Sequence, residues 1–135
     1  MESPNRPDVL VSAFIMETGG RVLLSRHAPY WKWHLPDGDV VRGERLHDAL
    51  TRAVRHDLGI EVVTEALPFL VTETITKSGA HYIVAHFTAR PADVSAALVV
   101  APGIDVRYFS EAELLAEAVL ASAREALRHR LRWNV

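Results

Sequence analysis

The 135-residue chain has no cysteine, which excludes disulfides, thiolate metal sites and a cysteine nucleophile. It has no apolar run near the ~20 residues that a bilayer-spanning helix needs. Its first residues, MESPNRPD, are polar and proline-rich, unlike a secretory leader or a lipidation signal, so the expected location is cytoplasmic. It also lacks an excess of positive charge. A formal net charge of −2 gives neither a nucleic-acid duplex nor an anionic membrane an electrostatic reason to bind. No internal repeat or low-complexity stretch interrupts it. What is present, 49% hydrophobic and 24% charged residues, is the balance of a soluble globular protein. A chain of this length makes one domain that buries roughly two thirds of its unfolded surface.

Residues 1–7 read as a flexible tail ahead of a single domain over 8–135. Apolar runs at 9–16 and 21–26 flank Glu17-Thr18-Gly19-Gly20, a turn suited to a β-hairpin. Pro29 keeps residues 27–32 out of regular pairing, and Trp33–Leu35 is a short strand stopped by Pro36 and the turn pair Asp37-Gly38. A helix then runs from about Arg45 to Leu58, with Gly59 just past its end. Leu67, Phe69, Val71, Glu73 and Ile75 alternate as a strand does, and 80–89 is apolar on both faces, as in a central strand. The turn Lys77-Ser78-Gly79 joins them. Residues 91–103 are loop and Val106–Phe109 a last strand. Ser110-x-x-Glu113 is a capping box that opens a C-terminal helix, which breaks near Ser122. This order predicts an α/β fold with a mixed β-sheet between helices.

The central helix carries the chemistry. At about 100° per residue, Leu46, Ala49, Leu50, Ala53 and Val54 form one apolar stripe, while Arg45, Asp48, Arg52 and Arg55 face away. Asp57 falls inside the stripe and His56 on its flank. A carboxylate on a buried stripe needs a partner or a metal, because an isolated buried charge costs many kcal/mol. The helix dipole also disfavours an acid in the last turn. The alternative is a helix that frays before Asp57 and leaves it solvated.

The stretch from Trp33 to Ile60 resembles the Nudix box, the diphosphate-hydrolase signature G-x5-E-x7-R-E-U-x-E-E-x-G-U with U aliphatic. Gly38, Glu44, Arg52, Val54, Gly59 and Ile60 stand in register with it. Ala53 and His56 stand where the signature has glutamates, and Asp57 replaces the third. The hairpin, the Trp-x-Leu-Pro lead-in and the last strand before a Ser-capped helix extend the likeness beyond the box. The resemblance implies a Nudix-like α/β/α sandwich that acts on a small phosphorylated substrate. It further implies that Glu44, Arg52, His56 and Asp57 are catalytic, Glu44 and Arg52 as an ion pair tying loop to helix. A divalent ion, Mg²⁺ or Mn²⁺, would lie on Asp57, Glu44, His56 and Asp105, the last placed where such enzymes often keep a late carboxylate. Gly38 and His34 would contact the substrate, and the aromatic cluster Tyr30, Trp31 and Trp33 would either stack on a base or an apolar group or serve core and lid packing.

Diphosphate hydrolysis needs a cation on the phosphate oxygens and a base for water. Mg²⁺ wants hard oxygen donors in near-octahedral geometry, whereas imidazole suits Mn²⁺, Fe²⁺, Co²⁺ or Zn²⁺ better. Three functions stay open: metal-assisted hydrolysis of a nucleoside diphosphate derivative; binding of a nucleotide-like ligand without hydrolysis and without a metal; or acid–base chemistry by His34, His56 and Asp57 on another small molecule. Glu73 and His81, flanking the Thr76–Gly79 turn, suit a satisfied strand edge better than a site, and His129, Arg130 and Arg132 a solvated helix end. Homodimerisation through the hairpin or the C-terminal helix is compatible with the sequence.

Overall fold

Strand β6 (His81–Pro91) organises the sheet, and its 11 residues are long enough to serve three neighbours. A computed structural model describes residues 6–135 of the chain, so most of the expected N-terminal tail lies outside the described residues. Along one edge of β6 runs β1 (Asp8–Phe14), parallel to it over its whole length. Along the other edge, β5 (Leu70–Ile75) pairs with 81–86 and β4 (Val62–Thr64) with 89–91, both antiparallel. β3 (Asp37–Asp39) closes the far side of β1, giving the order β3-β1-β6-β4 with β5 also on β6. A second, two-stranded sheet joins β2 (Val22–His27) to β7 (Ile104–Phe109).

The first hairpin departs from expectation. Its turn is there, with Glu17 N–H donating to Arg21 O at 2.9 Å and Leu23 N–H to Ile15 O at 2.9 Å. Beyond the Met16–Val22 bridge the arms part into different sheets. β1 already has β6 on one edge and β3 on the other, so β2 must find its partner elsewhere. The pair Asp37-Gly38 also differs: it lies inside β3, opposite Ser12 and Val11, and makes no turn. Trp33 and His34 form single bridges, to Val119 and Ser25, in place of a strand.

Helix α1 (Leu46–Leu58) follows the predicted stripe: Ala49, Leu50, Ala53, Val54 and Leu58 are buried. Each large apolar side chain so buried contributes ~1.5–3 kcal/mol. Gly59 ends the helix in the left-handed region (φ 66°), its N–H returning to Arg55 O. A side chain there would also meet Val99, 2.7 Å from where its Cβ would stand. Val11 and Ala13 of β1 and Ile15 just past its end pack with α1, whereas Phe14 packs with α2 (Glu111–Leu114) and α3 (Ala121–Leu131). Alternate residues of one strand thus feed two cores, and helices cover both faces of the sheet, the α/β/α architecture. The Ser110–Glu113 capping box is present. The helix it opens stops at Leu114 and resumes at Ala121. Between them the chain bonds to Trp33, which donates to Ala118 O (2.8 Å) and accepts from Leu120 N–H (2.9 Å). Among the described residues no helix is long and apolar enough to cross a membrane.

Candidate active site

Arg52, on the polar face of α1, staples the preceding loop and β3 to the helix. Its Nε and Nη2 donate to the two Glu44 oxygens at 2.8 and 3.0 Å, and Nη2 also reaches Asp39 O at 2.8 Å. Glu44 Oε1 accepts from Val41 N–H at 3.1 Å as well. The Arg52 hydrogen bond, then that of Val41, holds the Glu44 carboxyl below the usual carboxylate range, and Arg52 is raised in return. Beneath this staple Gly38 lies on the helix. A Cβ at Gly38 would fall 2.4 Å from the Ala53 Cβ, so only glycine lets β3 approach this closely.

Of the four acidic positions of the box Glu44 is kept, and the other three behave differently. Ala53 is 6% exposed and offers no donor atom. His56 points outward, its side chain 79% exposed, with Nδ1 2.8 Å from Asp57 Oδ1. Asp57 is half-buried at the stripe's edge, and its backbone O accepts from Ala101 N–H at 2.9 Å, so the helix does not fray before it. Asp105 is the second residue of β7. It pairs with Arg26 at 3.1 Å and lies on the β7 face that carries Phe109, while Val106 and Tyr108 turn the other face toward α1. Among the described residues no three His, Asp or Glu side chains converge as a metal-holding group. With Glu44 committed to Arg52 and an alanine at 53, this donor set does not fit a hard divalent ion such as Mg²⁺ or Mn²⁺.

A second cluster lies where β2 meets the 33–37 segment. Ser25 and His34 exchange both backbone hydrogen bonds (2.8 and 2.9 Å), which fixes His34 beside the end of β2. The His34 ring is buried, 7% exposed. Its Nδ1 donates to Leu35 O at 2.8 Å and lies 3.5 Å from Asp37 Oδ2. A carbonyl can only accept, so Nδ1 carries the proton. The His27 ring stands edge-on to His34 at 5.3 Å and is tied the same way, Nδ1 to Ala28 O at 2.8 Å. Asp37 completes the group. Desolvation raises its carboxyl above the usual range, His34 and His27 oppose that shift, and Asp57 and Asp39 reinforce it. Asp57 and the two histidines therefore act on one carboxylate.

The aromatic trio is split. Trp33 is core, edge-on to Phe109 at 4.8 Å, and does not line a surface site. Tyr30 (77% exposed) and Trp31 stay outside, Trp31 with φ at 51°. Arg26 lies 4.4 Å from the Trp33 ring and 5.7 Å from the Trp31 ring. Glu73 and His81 pair across β5 and β6 at 2.7 Å. Sequence reasoning did not single out His27 or Asp37. The available signal was an acid at Asp37, where the resembling family usually carries glycine.

The family model for the NUDIX domain matches residues 6–131. A MutT NUDIX hydrolase from Burkholderia pseudomallei superposes with a TM-score of 0.79 at 27% identity, covering 92% of this chain and 98% of that one. A NUDIX hydrolase from Nitrosomonas europaea gives 0.80 at 20% identity, covering 94% and 90%. A UDP-X diphosphatase gives 0.74 at 20% identity, covering 94% of this chain and 64% of that one. At 20% identity the last two speak for the fold alone. No curated protein sequence matches the chain. With the family model spanning nearly its whole length, this chain belongs to the NUDIX domain family.

Proposed function

We propose that this chain is a hydrolase of small organic diphosphates, with nucleoside diphosphate derivatives as the first substrate class. The observation that carries the reading is the loop-to-helix frame: Arg52 bound to both Glu44 oxygens and to Asp39 O, with Gly38 seated on Ala53. That frame holds a ligand-facing loop rigid against α1, which is what positioning a reactive phosphate requires. The fold shared with a UDP-X diphosphatase makes UDP derivatives the natural starting panel. Because the donors on α1 do not fit a resident hard cation, no step of the reaction is assigned to one. Asp57, the one acidic box position kept on α1, stays the residue to remove.

The test is phosphate release, after phosphatase coupling, from a panel of nucleoside diphosphate derivatives with Mg²⁺, Mn²⁺ or EDTA. Turnover by the wild type, abolished in Asp57→Ala, supports the reading. Full turnover in the variant removes Asp57 from the site, and a silent panel refutes hydrolysis. Ala53 and the outward His56 favour a second reading, binding without hydrolysis. It predicts ligand-dependent thermal stabilisation in EDTA with no product formed.

A further inference from the structure

We propose that His34 is the acid–base group of this site: its ring Nε2 meets the bound ligand and exchanges a proton with it, with Asp37 as its positioning residue. The proposal rests on the diphosphate reading for its substrate, and on separate geometry for its chemistry. Leu35 O accepts a hydrogen bond from Nδ1–H, so a neutral His34 presents Nε2 as an acceptor. That Nε2 has no hydrogen-bond partner among the described residues. The one side-chain N or O atom there that is both sealed from solvent and unpartnered is Trp33 Nε1, so solvent reaches His34 Nε2 although the residue is buried. A buried ring with one nitrogen tied and the other open is what a general base requires.

The surroundings fit the role. Asp37 Oδ2, 3.5 Å from Nδ1, stands on the tied side of the ring and helps to hold its orientation. The titratable groups around the pair are His27 from β2, Asp39 from β3 and Asp57 from α1. Asp37 occupies the box loop of the same chain in which Ala53 and His56 replaced two carboxylates, so acidity lost on the helix face has a counterpart on β3. In the step itself, a water oxygen bonds to phosphorus while its proton passes to His34 Nε2. The bridging P–O bond breaks, the departing phosphate keeps the electron pair, and His34 releases the proton to solvent.

The experiment is a long-range ¹H–¹⁵N NMR titration of the histidine rings in the full chain with UDP-glucose and with inorganic pyrophosphate, beside turnover of UDP-glucose. The expected result is a saturable shift of His34 Nε2 while the His86 ring stays still. Turnover of UDP-glucose should fall ~100-fold or more in His34→Gln. Asp37→Asn should keep the fold and lower kcat with KM little changed, as expected of a residue that orients the ring. An unmoved His34 with both probes overturns the proposal, as does wild-type turnover in folded His34→Gln or an unchanged kcat in Asp37→Asn. Should UDP-glucose not be hydrolysed while His34 Nε2 still shifts, hydrolysis of that substrate fails and the ring's contact with ligand stands.

Discussion

His34 and His86 are both buried imidazoles, and the protein treats their ring nitrogens differently. His86, in the middle of β6, has both satisfied: Nδ1 lies 2.5 Å from Ser12 Oγ and Nε2 2.9 Å from Thr72 Oγ1. Burial lowers its pKa to about 4, so it stays neutral at ordinary pH. His34 has one nitrogen tied to a carbonyl and a carboxylate beside it, and the other open. Two hydroxyls on opposite sides seal a histidine into a core. One carbonyl and an open side keep it available for chemistry.

The comparison breaks first under acid. His86 has a folded pKa below its unfolded value of about 6.5, so the unfolded chain takes up a proton that the native chain refuses. The stability this confers is complete above pH 6.5 and declines as pH falls, by about 3 kcal/mol at pH 4. Urea midpoints between pH 7 and 4 measure it, and a flat midpoint over that range would contradict a sealed His86. Next in size is Thr72→Val, which keeps the shape, removes the hydroxyl and leaves a buried ring nitrogen unpaired at ~1–3 kcal/mol. Denaturation should register that loss while turnover is unaltered. The smallest effect is on the other histidine: His34→Gln gives up one carbonyl bond and should shift stability by ~1 kcal/mol. A larger loss there would make His34 a structural residue of the same kind as His86.

Much of this was legible in the sequence where a local signal agreed with its packing. The α1 stripe, the Gly59 stop and the Ser110–Glu113 box depend on spacings within one or two turns, and the structure keeps them. The turn at Lys77–Gly79 was similarly local. Misreadings arose where a distant partner decided. Asp37-Gly38 is good turn chemistry, yet β1 offers an open edge and the pair becomes strand. The arms of the first hairpin part because β1 is saturated on both edges by strands far away in sequence. The site followed the same division. Glu44 and Arg52 were visible eight residues apart within one motif, whereas His27, His34 and Asp37 meet only because Ser25 pairs with His34 across an irregular loop.

The two residues at the centre of that loop are held from both sides: His34 by Ser25, and Trp33 by Ala118 and Leu120. Four main-chain hydrogen bonds on two consecutive residues leave this segment little conformational freedom to surrender when a ligand arrives. Under the proposed function the entropic cost of recognition would fall on the ligand and on exposed side chains such as Tyr30 and Trp31, not on the backbone that carries the imidazole. Such a site would favour rigid, compact ligands over flexible ones of equal charge.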